Sequence, residues 1–170
     1  VLNEAMGKES ETINNAFKSG HISFEFHSIM LLDAKFYWMA HGLERGMLSP
    51  EEVLNEPKLS NSKAIGSMSY FRFLRAFGRK AYKGRSQQER YDAFAEHLSE
   101  SIMELFWAYD IRQASQEEEI EYSLLEAYQL YLDRFDNGAL QAYAHKYLVG
   151  LEDQFYRENT PITEEMVFVE

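Results

Sequence analysis

Asp33 is the residue in this chain whose position most invites chemistry. It lies in Ile22–Leu43, which reads I-S-F-E-F-H-S-I-M-L-L-D-A-K-F-Y-W-M-A-H-G-L. A helix advances about 100° per residue. On that wheel Ile22, Phe26, Ile29, Met30, Phe36, Tyr37 and Ala40 share one broad face, and Asp33 falls in its middle. A carboxylate among apolar side chains takes either a partner or a proton. It could be a ligand or catalytic carboxylate in an aromatic pocket near Phe36, Tyr37 and Trp38. It could equally be a structural carboxylate bonded to a Tyr, an Arg or a helix N-terminus. The structural role is favoured, because networks that serve only the fold also hold ionised carboxylates.

A second constellation is basic. Arg72, Arg75, Arg79 and Lys83 follow one another at helical spacing, opposite Tyr70, Phe73, Leu74, Phe77 and Ala81. Arginine forks grip carboxylates and phosphates with two parallel bonds. Such a stripe can pair with acidic helices of its own chain, meet an acidic partner or a second copy, or hold a phosphate-bearing ligand or RNA. The third use is the weakest, because the rest of the chain repels polyanions. A third constellation is acidic: Asp92, Glu96 and Glu100 stand four residues apart and present one helical face to a basic partner.

Other chemistry is not supported. There is no nucleotide-binding glycine loop, no Gly-x-Ser-x-Gly, no His-Glu-x-x-His and no Glu-x-x-His. His97, Glu100 and Glu104 could share a helical face, but a solvated charged face is the better reading. His27 and His41 are fourteen residues apart, about 21 Å along a helix, and cannot share one ion. No metal or cofactor is expected. With no cysteine, thiol nucleophiles, thiolate metal sites and disulfides are all excluded.

The charge is lopsided. The whole chain carries −11, yet Pro57–Gln88 holds eight Lys/Arg and no Asp or Glu. The remainder has nine basic and twenty-eight acidic residues, a balance of −19. An acidic body of this kind disfavours general nucleic-acid binding and attachment to membrane surfaces. No transmembrane segment is expected. A soluble protein, cytoplasmic by preference, is anticipated; the start at Val1 leaves a removed signal peptide open.

These residues need helices to position them. Ile22–Leu43 is apolar on two sides, with Phe24, Leu31 and Trp38 opposite the broad face, so it is expected as an enclosed central helix. A short polar helix precedes it and ends near Ser19-Gly20. Ser49-Pro50-Glu51-Glu52, Ser86-Gln87-Gln88-Glu89 and Ser115-Gln116-Glu117-Glu118 each read as helix starts, with a serine cap and a glutamate three residues on. Between them are expected a helix over 63–82 and one long helix carrying Tyr91, Phe94, Leu98, Ile102, Leu105 and Tyr109. After Ser115 comes a helix with Ile120, Leu124, Ala127, Tyr128, Tyr131 and Phe135 inward. Asp136-Asn137-Gly138 breaks it, and a last helix ends at Thr160-Pro161. No stretch alternates with period two, so no sheet is expected.

The expectation is thus an all-α, single-domain helical bundle over 1–170, of about five to seven helices around one buried central helix, with 1–20 and 160–170 peripheral. Its function is expected to be non-enzymatic protein binding, of an inhibitor or immunity type, through Arg72, Arg75, Arg79 and Lys83 or through Asp92, Glu96 and Glu100. A homo-oligomer joining its own basic and acidic helices is a further form of the same idea. The alternative is a small-molecule-binding protein or helical enzyme centred on Asp33.

Overall fold

The computed structural model describes residues 2–54, 59–117 and 122–160, with side chains at all of these except 2, 117, 122, 123, 143, 144, 146 and 147. The chain is all-α. Its helices are α1 (Leu2–Lys18), α2 (Phe24–Glu44), α3 (Pro50–Leu54), α4 (Met68–Ala81), α5 (Gln87–Ala95), α6 (Glu100–Glu117), α7 (Tyr122–Arg134) and α8 (Gln141–Asn159). A 3-10 turn spans Ser62–Ala64. Among the described residues there is no strand, and no helix is long and apolar enough to cross a membrane. Two compact units divide the chain within α6, residues 1–110 and 111–170.

In the first unit α1 and α2 form an antiparallel hairpin. Gly20 supplies the turn, with φ at 74°, a region that costs glycine nothing. The hairpin is fastened along its length. Phe17 stacks on His27 at 4.4 Å, His27 Nε2 bonds Asn14 Oδ1 at 2.8 Å, and the Trp38 indole N–H donates to Glu9 at 2.5 Å. The opposite side of α2 packs on α4, where Phe36 lies 4.8 Å from Tyr70 and 5.2 Å from Phe73, ring centre to ring centre.

Enclosure of α2 is only partial. Ala34, Phe36, Ala40, Gly42 and Leu43 are buried, all in its C-terminal half. Phe24, Phe26 and Ile29 are exposed, Phe24 by 67%. The cause is the start of α4. Ser67 caps that helix, its Oγ accepting the Tyr70 N–H at 3.1 Å. The helix therefore begins at Met68, not at residue 63, and the first turns of α2 overhang it. In this unit most of the large, fully buried side chains belong instead to α4, α5 and α6, including Tyr70, Leu74, Phe77, Tyr91, Phe94, Ile102, Phe106 and Trp107, and Leu43 is the one that α2 adds.

Two of the expected serine caps form. Ser49 and Glu52 exchange bonds of 2.7 and 3.3 Å at the start of α3. Ser86 and Glu89 do the same at α5, again at 2.7 and 3.3 Å. The third does not form: α6 runs through Ser115, whose hydroxyl donates back to the Arg112 carbonyl at 2.8 Å. Gln116 and Glu117 continue α6, while Glu118 and Ile120 lie outside the described residues. A single helix from Tyr91 to Tyr109 is also not formed. The chain breaks after Ala95 and restarts at Glu100, with the Ser99 N–H donating to Ser60 Oγ at 3.3 Å.

In the second unit α7 and α8 pack as a hairpin. Leu124, Ala127, Tyr128, Tyr131 and Phe135 are buried from one side and Leu148 and Leu151 from the other. The Gly138 N–H donates to the Phe135 carbonyl at 2.7 Å, closing α7 at the expected break.

Candidate functional site

Asp33 Oδ1 accepts the Ser67 hydroxyl at 2.6 Å and the Ser69 N–H at 3.4 Å. Ser67 Oγ in turn caps α4. The carboxylate thus extends the cap into a relay of three groups at the positive end of a helix, where negative charge is favoured. Replacing Asp33 with Ala is expected to lower stability by about 1 kcal/mol, the usual loss for a cap. Urea denaturation reads this directly; an unchanged midpoint would leave the capping bond without weight.

The basic stripe on α4 is divided between the interior and the surface. The Arg72 guanidinium grips Glu44 of α2 with bonds of 3.0 and 2.6 Å and lies 5.7 Å from the Tyr37 ring centre. Arg75 Nε donates to Asp110 Oδ1 at 2.7 Å, with both side chains about nine-tenths buried. Two of the four cations therefore serve the chain's own carboxylates. Arg79, which also has a partner in the chain, and Lys83 remain exposed.

Asp110 is the residue that reading from periodicity overlooked. The Tyr91 hydroxyl donates to its Oδ2 at 2.9 Å, and Gln87 Nε2 reaches the Tyr91 oxygen at 2.7 Å and Asp110 Oδ2 at 3.4 Å. Burial, and then the Asp110 carboxylate, push the Tyr91 hydroxyl well above the usual tyrosine range. It stays protonated and keeps donating. A carboxylate, a guanidinium and a phenol in contact resemble catalytic machinery, but the cavity beside them holds only about 10 Å³. That is room for one water at most. The cluster holds α4, α5 and α6 together. A signal for it was present: Asp110 follows Ile102 and Phe106 by eight and four residues, in the register of a buried stripe.

The acidic residues are rearranged by the break between α5 and α6. Asp92 lies on α5, Glu96 is its C-cap, and Glu100 opens the next helix. They do not form one continuous stripe. Asp92 and Glu96 instead join Glu89, Tyr82, Arg85 and Ala93 around an open hollow of about 450 Å³; Glu100 is not among its lining residues. The Arg85 guanidinium lies 5.2 Å from the Tyr82 ring centre on one side of that hollow. The Asp92 carboxylate accepts from the neutral Gln88 amide at 2.9 Å. Glu89 accepts from both the N–H and the hydroxyl of Ser86, at 2.7 and 2.9 Å. Three carboxylates thus face one guanidinium around a half-buried tyrosine.

The Ser86 N–H, more than the Ser86 hydroxyl and the charge on Arg85, holds Glu89 below the usual carboxylate range. A lowered folded-state value means that the cap is intact above the ordinary glutamate range and is lost as pH falls through the depressed value. The Ser86 amide resonance, followed by NMR during acid titration, is expected to shift with a midpoint below that of an ordinary glutamate. A midpoint at or above it would show that the charged cap does not form.

Among the described residues no three His, Asp or Glu side chains converge as a metal site would require. No protein family, curated protein or solved structure matches the chain.

Proposed function

We propose that this chain is a non-enzymatic protein-binding module that takes a basic segment of its partner into the hollow between Tyr82 and Glu96. Inhibitors and immunity-type proteins, which act by covering a basic surface, are the form that best suits such a module. The observation that carries the reading is the imbalance around the hollow: Glu89, Asp92 and Glu96 against Arg85 alone, beside an aromatic face. A lysine or arginine from a partner would gain charge-assisted bonds and a cation–π contact there. The acidic charge of the whole chain, −11, would speed its capture. The Asp33 alternative has no comparable support, since that carboxylate is bonded to Ser67 and Ser69 and does not line the hollows beside Asp110, Trp38 or Tyr82.

The test is capture from cell lysate with the wild-type chain, with Asp92→Lys/Glu96→Lys, and with Lys83→Gln as control. A partner held in about 50 mM salt and released in about 500 mM, where surface charges are screened, is expected on the wild type and the control and lost on the double variant. If no captured protein depends on both salt and the two carboxylates, the reading fails. Light scattering in the same salts identifies the case in which the partner is a second copy, by a mass that rises as salt falls.

A further inference from the structure

A separate hollow of about 210 Å³ opens where α1, α2 and α3 meet. Its walls are Met6 of α1, Trp38 and Met39 of α2, Leu48 of the loop and Val53 of α3. The Trp38 indole is held in place. Its N–H donates to Glu9 at 2.5 Å, and its ring stands edge-on to Tyr37 and His41 at 5.3 and 5.8 Å. The two thioethers adapt to the outline of whatever lies against them. An apolar cavity of about 150 Å³ accommodates benzene, so this one accommodates a single ring with a short tail.

The rim is polar and carries both signs: Lys35 from α2, Glu52 from α3, and the Asn3 amide. Glu52 uses one oxygen for the Ser49 N–H, at 2.7 Å, and has its other oxygen to offer. Lys35 also engages the chain, and an ammonium has three donors to distribute. A simple carboxylic acid at this rim would meet the Glu52 charge, and a simple amine would meet Lys35. A molecule bearing an ammonium and a carboxylate beside one apolar body satisfies both.

We propose that the hollow binds a free apolar α-amino acid. The side chain lies against Trp38, Met39 and Met6, the carboxylate on Lys35 and the ammonium on Glu52. L-Phenylalanine is the probe, with 3-phenylpropionate and phenethylamine as analogues that each lack one charge. The readout is the pair of indole N–H resonances in the ¹⁵N spectrum, since the chain has two tryptophans, Trp38 and Trp107. Trp107 is 1% exposed and reports that the core is unchanged. Titration with phenylalanine is expected to shift the Trp38 signal saturably and leave that of Trp107 in place. Each analogue is expected to bind about tenfold more weakly, the effect of one charge-assisted bond. Lys35→Met, at an exposed position, is expected to keep the Trp107 signal, to weaken phenylalanine by about tenfold and to bring it level with phenethylamine. A Trp38 signal that stays fixed up to the solubility limit of phenylalanine would overturn the proposal. So would equal affinity for all three ligands, or undiminished phenylalanine binding by Lys35→Met.

Discussion

Arg75→Met is expected to destabilise the first unit by about 3–5 kcal/mol, the usual result of removing one member of a buried ion pair. The side chains of Arg75 and Asp110 are 10% and 11% exposed, and their bond is 2.7 Å long. Without the guanidinium, the Asp110 carboxylate keeps only the Tyr91 hydroxyl and the longer bond from Gln87. The hollow beside the intact pair holds only about 10 Å³, and methionine has no donor to replace the guanidinium. The pair itself adds little over an uncharged pair of the same shape; the large loss comes from the charge left behind. Adding Asp110→Asn to Arg75→Met is therefore expected to recover about 1 kcal/mol or more, because a neutral carbonyl still accepts from Tyr91. Guanidinium denaturation measures both. Fluorescence is a suitable signal, since Trp107 lies 4.2 Å from the Tyr91 ring centre. A loss below about 1 kcal/mol for Arg75→Met would mean that the carboxylate is hydrated.

The second large effect is expected at Phe94, where truncation to Ala should cost about 3–5 kcal/mol. Its ring is 1% exposed and lies 6.0 Å from Phe77, 5.5 Å from Tyr82 and 4.8 Å from Phe106, centre to centre. It also rests on the bare backbone of Gly78, where an added Cβ would stand 2.6 Å from Phe94 Cε2. Gly78→Ala alone is expected to destabilise, because overpacking of about 1–3 kcal/mol exceeds a helix-propensity gain of about 1 kcal/mol. In the Phe94→Ala background the clash is gone and the same substitution should stabilise. That change of sign, read from urea midpoints of the two single variants and the double variant, is the decisive result. Additive effects would show that the ring moves aside at little cost.

Much of this architecture could be read from residue order. Capping signals placed the starts of α3 and α5, and the three- and four-residue recurrence of Leu124, Ala127, Tyr128, Tyr131 and Phe135 named the inner side of α7. Asp33 was recognisable as a carboxylate needing a partner, and a helix N-terminus was among the partners expected. Position along the chain could not show that the partner would be a serine thirty-four residues on. Nor could it show where a helix would be interrupted. Glu96–Ser99 contains no proline or glycine, and Leu98 continues the apolar recurrence, so nothing local announces the break. It comes from tertiary contacts, among them the Ser60 hydroxyl on the Ser99 amide. The basic stripe was legible as a stripe, but its division was not. Whether an arginine faces solvent or a buried carboxylate depends on which helix lies opposite, and Asp110 comes thirty-five residues after Arg75.

The Asp33–Ser67 bond also bears on how the chain is made. The α1–α2 hairpin precedes its covering helix α4 along the chain, and α4 is complete only when residue 81 has emerged, thirty-seven residues after α2 ends. At about 5–20 residues per second, that interval lasts roughly 2–7 s. Throughout it Phe36, Ala40 and Leu43 lack the complete α4 as a lid, and until Ser67 emerges Asp33 has no hydroxyl to hold. A nascent chain arrested before Ser67 would therefore present the uncovered side of α2 to the cell.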